Sequence, residues 1–385
     1  MGLKGRFSGI LPPLLLILIC LTISFVLFKN NSANFTYDDF NYITYALQMR
    51  IGAFNPLQSP YAFGYLFPFT IFVSYNLLGI NTISTSAPQI LEYIILVLLS
   101  YATASKLFNR KLAFAGALAL AVSAFIAIYA TRPLPDMLVG DLVALALYLL
   151  TSEDKITSSS FTKLNNWAYF FAGIVIGTIV FVKLGAIIPA LALAFALLVL
   201  EKGKTIPFII GTIMVSFVYF MSIGTLNVVS SYSALQVHLS HVQTTLWGNL
   251  YTMLYLMPFG YNLHSLWFVQ TFPLGLMFIF AILGTYQIFQ NKENKLAVVS
   301  LVFWFTFLYL FLGTEGLHHY QLIVVVSRYF IWIAMPMMIL ATYFFWNMYK
   351  NSNHGNLYIA ILVLLVLLSN LPMLWFFAQP ISHSI

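Results

Sequence analysis

Charge is scarce in this sequence. Of 385 residues only 7% are Asp, Glu, Lys or Arg, the carboxylates number 10, and Cys20 is the single cysteine. One cysteine excludes an intrachain disulfide and any cysteine metal site. So little charge beside 61% hydrophobic residues, with a mean hydropathy of +0.91, excludes a soluble enzyme, because no soluble fold of this size could hide that much apolar surface. There is no internal repeat, no low-complexity tract and no soluble domain to be seen, and no nucleic-acid partner is expected. The residues that close the first apolar run, Lys29-Asn30-Asn31, lack the small-residue pattern of a cleaved secretory signal, so that run is expected to stay as a helix.

What the sequence does have is a series of apolar runs, near 10–28, 88–107, 113–130, 137–150, 167–182, 184–200, 206–226, 266–289, 297–312, 328–348 and 357–377. They predict an all-α, polytopic bundle of about eleven transmembrane helices. A single membrane domain, 1–385, would hold a first span at 10–28, an outer loop at 29–87, core helices over 88–226, a second outer loop at 227–265 and C-terminal helices over 266–377. A further run at 61–80 has the length of a span, and charge decides its fate. If it lies in the interface or re-enters without crossing, and the N-terminus is cytoplasmic, only Lys29, Arg50, Arg132, Lys183 and Arg328 fall on the outer face while every other Lys and Arg lies inside. That satisfies the positive-inside rule, and the expected location is a plasma (inner) membrane with the working face extracytoplasmic.

The same topology sorts the carboxylates. Glu153, Asp154, Glu201 and Glu293 fall in inner loops beside lysines, as ordinary solvated charge. Asp38, Asp39, Glu92, Asp136, Asp141 and Glu315 fall at or near the outer face, at the depth of Arg132, Lys183, Arg328, His318 and His319. The adjacent pair Asp38-Asp39, set among aromatics in Tyr37-Asp38-Asp39-Phe40-Asn41-Tyr42, is costly to desolvate and must be solvated, paired or used.

Four stretches in this order carry a resemblance: the acidic pair Asp38-Asp39; Thr131-Arg132-Pro133-Leu134-Pro135-Asp136-Met137 before an apolar span; a lysine in the hairpin Gly177-Thr178-Ile179-Val180-Phe181-Val182-Lys183-Leu184-Gly185; and Arg328-Tyr329 opening an apolar helix with Pro336. The stretch from Phe67-Pro68 through Leu78-Gly79 to Ala104 and Leu107 fits the same arrangement. Together they resemble the GT-C class of membrane glycosyltransferases that take a sugar from a polyprenyl-phosphate carrier, in the branch of protein O-mannosyltransferases and lipid A aminoarabinose transferases. The resemblance implies a GT-C-like fold with a long outer first loop containing interfacial helices. It implies a polyprenyl-phosphate-sugar donor (undecaprenyl or dolichyl), a lipid, glycan or protein acceptor, and transfer by inverting displacement. Many members carry a sizeable soluble C-terminal domain, of which this sequence shows no trace.

Such a reaction needs a base near the acceptor and positive charge near the leaving phosphate. Asp38 or Asp39 is the candidate base, the resemblance favouring Asp38, and Asp136 would orient the acceptor or complete a site for Mg²⁺ or Mn²⁺ with the pair. For the donor phosphate the candidates are Lys183, Arg132 and Arg328, arginine offering a bidentate fork and lysine a point charge. Lys183 and Arg328 could equally be interfacial anchors, Lys183 by snorkelling to the headgroups. His318, His319, Tyr42 and Trp247 are candidates for sugar or acceptor contact, and His238 and His241 at i, i+3 would share a helical face. Glu92 and Asp141 could pair with Arg132 or a backbone group. A secondary transporter or lipid flippase would use the same ionisable groups differently, near mid-membrane and in two related halves, and a scaffold protein would not need Asp38 at all.

Overall fold

A computed structural model describes residues 3–31, 37–57, 60–151, 164–224, 275–313, 327–352 and 354–364. In chain order its main helices are α1 (Leu3–Asn31), α2 (Tyr37–Arg50), α3 (Leu66–Leu78), α4 (Thr82–Leu107), α5 (Arg110–Ala121), α6 (Asp136–Thr151), α7 (Leu164–Gly177), α8 (Ile188–Leu200), α9 (Lys202–Ile223), α10 (Gly275–Asn291), α11 (Asn294–Leu312), α12 (Ala334–Lys350) and α13 (Gly355–Leu364). No strand occurs among the described residues. The all-α membrane bundle expected from the sequence is what forms.

Among the described residues, four segments are long and apolar enough to cross a membrane: Ile10–Lys29, Thr82–Leu107, Lys202–Ile223 and Arg328–Lys350. Burial ranks them. The apolar window of Arg328–Lys350 is 83% buried, which makes α12 the central helix, whereas those of Ile10–Lys29 and Lys202–Ile223 are 22% buried and therefore peripheral. Around α12 lie α5 and α10, while α4 packs on α1, α3, α5 and α6, and α8 packs on α11. The α7–α9 pair is held by close backbone approach, Gly173 lying on the Phe208 carbonyl and Gly211 on that of Phe170, as small residues allow between membrane helices.

Several expected runs divide. The run at 113–130 is not one helix, because α5 stops at Ala121 and the chain turns through Ala124–Ala127 and a 3₁₀ turn at Ile128–Thr131. Ser123 accepts the Ile126 and Ala127 amides at this break, and Pro133 and Pro135 follow it. The run at 61–80 becomes a 3₁₀ turn at Pro60–Phe63 and the 13-residue α3. At 1.5 Å per residue α3 is about 20 Å long, short of the roughly 30 Å apolar core of a bilayer. Asn81 then starts α4 with a reciprocal capping box to Ser84.

Candidate active site

Four elements, far apart in sequence, bring ionisable side chains to one point. The first is α2, whose opening turn carries Asp38 and Asp39. Neighbours on a helix point about 100° apart, so the two carboxylates diverge. Asp39 is fully buried and accepts from Arg132 Nη2 at 2.6 Å and Nε at 3.3 Å. Asp38 keeps 28% side-chain exposure and accepts from Arg328 Nη2 at 2.7 Å. Tyr42, one turn on, is buried edge-on to Phe67 with ring centres 5.2 Å apart. Burial first, then the nearby Asp136, holds its phenol well above the usual tyrosine value, so it is a neutral group beside the charges.

The second element is the stretch ahead of α6. Arg132 precedes Pro133 and is extended, φ −102° and ψ 130°, as a residue before proline prefers to be. The chain then enters α6 with Asp136 in the first turn, where the helix dipole favours a carboxylate. Asp136 is only 1% exposed.

The third is the break between α7 and α8. After a short turn at Ile179–Val182 the backbone opens at Lys183, φ −161° and ψ 112°, before a 3₁₀ turn at Leu184–Ile187 and Pro189 in the first turn of α8. Gly64 seals this break from the α3 side, since a Cβ there would collide with the Val182 carbonyl. The result is that the Lys183 ammonium reaches Asp136 Oδ1 at 2.9 Å.

The fourth is the 3₁₀ helix Ser327–Ile333 that leads into α12. It gives the site Arg328, Tyr329 and Trp332. Trp332 Nε1 donates to Asp136 Oδ1 at 3.0 Å, and Arg328 Nε lies 3.4 Å from Asp136 Oδ2. The ammonium of Lys183 sits 4.2 Å from the centre of the Tyr329 ring and 5.2 Å from that of Trp332, a cation over stacked aromatic faces. Gly140, one turn into α6, lets this 3₁₀ helix approach, because a Cβ there would meet Ile331 atoms at 3.0 Å.

Six residues expected at the site therefore converge in two linked groups: Asp38, Arg328, Asp136 and Lys183 in one, and Asp39 with Arg132 in the other. Lys183 and Arg328 share Asp136, which makes them a cationic pair; Arg132 is drawn to Asp39 instead. As a set of metal ligands Asp38, Asp39 and Asp136 do not fit. Each faces a cation, and among the described residues no three His, Cys, Asp or Glu side chains are grouped to hold an ion. His318, His319 and Trp247, like Glu315, His238 and His241, lie outside the described residues. Glu92 on α4 and Asp141 on α6 are both buried, and neither belongs to the ion pairs above.

Trp332, Gly64 and Gly140 were not foreseen. Trp332 is one of several aromatics in an apolar run, which reads as an interfacial belt, and its only signal is its position four residues after Arg328. The two glycines act through contacts between distant segments and leave no local pattern.

Comparison of this bundle with solved structures decides its fold. Over 97% of its length the chain matches ArnT from Cupriavidus metallidurans in the apo state, with a TM-score of 0.67 over 76% of that protein at 14% identity. This chain has the GT-C fold. It also matches the same ArnT bound to undecaprenyl phosphate, with a TM-score of 0.58 at 13% identity over 98% of this chain and 76% of that one. A third GT-C match is the archaeal oligosaccharyltransferase AglB from Archaeoglobus fulgidus, in complex with an inhibitory peptide and a dolichol-phosphate: TM-score 0.57, 12% identity, 98% of this chain and 56% of that one. No family model and no curated protein sequence matches the chain. At these identities the likeness is one of GT-C architecture, and the chemistry rests on the side chains just described.

Proposed function

We propose that this protein is a membrane glycosyltransferase that moves a sugar from a polyprenyl-phosphate carrier, undecaprenyl or dolichyl, to a lipid, glycan or protein acceptor on the extracytoplasmic face. The observation that carries this reading is the convergence of Lys183 and Arg328 on Asp136 beside the half-exposed Asp38, in a fold shared with proteins solved with undecaprenyl phosphate and dolichol-phosphate. Two fixed cations beside one accessible carboxylate are what an inverting displacement requires.

In that reaction Lys183 and Arg328 hold the phosphate and stabilise the charge that builds on its bridging oxygen as the anomeric C–O bond breaks. The acceptor nucleophile attacks the opposite side of the anomeric carbon, and Asp38 takes its proton. Asp136 is held by hydrogen bonds from Lys183 and Trp332 with the Arg328 guanidinium close by, and is the fixed anchor of the cations; Asp39, buried on Arg132, locks the opening of α2. Tyr42, and with it His318, His319 and Trp247, is assigned to sugar or acceptor contact. The described carboxylates do not form a metal site, so no step is routed through Mg²⁺ or Mn²⁺.

The test is sugar transfer from radiolabelled polyprenyl-phosphate-sugars in membranes that hold the wild type, over a panel of sugars. Label that moves from carrier to a new product only when the protein is present supports the reading. Consumption of no donor across the panel, at normal protein level, would turn attention to the transporter or flippase alternative.

A further inference from the structure

Asp38 and Asp136 hold the same guanidinium but are held very differently themselves. Asp136 is 1% exposed and gathers Lys183 Nζ at 2.9 Å, Trp332 Nε1 at 3.0 Å and Arg328 Nε at 3.4 Å. Asp38 is 28% exposed, and its one ion pair among the described residues is the 2.7 Å contact to Arg328 Nη2. An anion arriving at Arg328 has to compete with whichever carboxylate gives way, and the partly solvated Asp38 yields at lower cost than the buried Asp136, which Lys183 and Trp332 hold by hydrogen bonds whatever Arg328 does. As long as Asp38 Oδ2 accepts from Arg328 Nη2, that oxygen is occupied and is not turned to an acceptor.

We infer that the donor's phosphate displaces Asp38 from Arg328 and so creates the base: carrier binding and base release are one exchange of ion pairs. Arg328 Nη2 lets go of Asp38 Oδ2 and takes a phosphate oxygen, Lys183 contributes the second contact, and Asp136 keeps both cations in place. Asp38, freed, faces the acceptor. When the acceptor oxygen or nitrogen attacks, its proton passes to Asp38, the electron pair of the broken anomeric C–O bond stays on the carrier phosphate, and departure of the carrier allows Asp38 to lose the proton and return to Arg328.

This inference rests on the function proposed above, and its test separates the two. Binding of undecaprenyl phosphate in detergent micelles is measured by titration calorimetry for wild type, Asp38→Asn, Arg328→Gln and the double variant, each checked for an unchanged melting temperature. If Asp38 competes for Arg328, Asp38→Asn binds the carrier about five- to tenfold tighter than wild type while its sugar transfer is lost. A carboxylate with a merely structural role would leave affinity equal or weaker. The double variant controls for the general field of a lost negative charge: in the Arg328→Gln background the tightening should vanish, since there is no guanidinium left to release. Equal or weaker binding by Asp38→Asn, or tightening that persists without Arg328, overturns the exchange. Absence of binding by the wild type overturns instead the proposed function on which it stands.

Discussion

Tyr329 lies stacked on Trp332, ring centres 5.0 Å and planes 29° apart. The two are three residues apart in a 3₁₀ helix, where side chains at i and i+3 eclipse, so the irregular helix is itself what builds an aromatic wall for the Lys183 ammonium. Had α12 begun as an α-helix at Ser327, the pair would stand about 60° apart around the helix axis and stack less directly.

The wall gives a first prediction. Trp332→Phe keeps the ring but removes the N–H donated to Asp136, and a lost hydrogen bond to a buried carboxylate is worth about 1.5–3 kcal/mol. The expected outcome is roughly a tenfold or greater fall in transfer with protein level maintained. Tyr329→Phe, which preserves the stacked face, should stay near wild type, and Tyr329→Leu should not. Rates for the three variants at matched expression check this.

A second prediction concerns the glycines that seat the two walls. Gly64→Ala presses on the Val182 carbonyl beside Lys183, and Gly140→Ala presses on Ile331 beside Trp332. Backbone has to shift at Gly64 and the Ile331 segment has to give by a few tenths of an ångström at Gly140, at a cost of about 1–3 kcal/mol. Both variants should lose more transfer than their melting temperature suggests, whereas Gly203→Ala, where a Cβ meets nothing within 4 Å, should be silent.

Lys183 offers a third. Lys183→Met strips a charge from the nearly buried Asp136, and breaking such a pair costs about 3–5 kcal/mol, so both stability and transfer should fall sharply. Lys183→Arg restores charge without the compact ammonium that fits between Asp136 and the Tyr329 face, and should recover folding but only part of the transfer. Thermal melts and rates on purified protein separate the two effects.

Chelation gives a fourth. With Asp38, Asp39 and Asp136 each engaged by a cation, transfer should survive extensive dialysis against EDTA. A loss restored by Mg²⁺ or Mn²⁺ would mean that residues beyond the described ones complete a metal site.

Much of this was legible in the sequence because membranes make charge expensive. In a chain with 7% charged residues, Asp38, Asp39, Arg132, Asp136, Lys183 and Arg328 stand out one by one, and a topology argued from Lys and Arg alone puts them at one depth. Their pairing was not legible. Sequence offers no reason why Arg132 should go to Asp39 and Arg328 to Asp38; that depends on the 100° between neighbours on α2 and on where the Pro133 and Ser327–Ile333 segments enter. Nor could it show that the run at 113–130 breaks after Ala121, since Ser123 alone is a weak breaker and its effect comes from the packing around it.

The measurement that bears most directly on the account is a structure of the protein with undecaprenyl phosphate bound. The account predicts the phosphate within about 3 Å of both Lys183 Nζ and the Arg328 guanidinium, with Asp38 no longer on Arg328 and Asp136 unmoved. A phosphate seated elsewhere, with the Asp38–Arg328 and Asp136–Lys183 pairs intact, would contradict it.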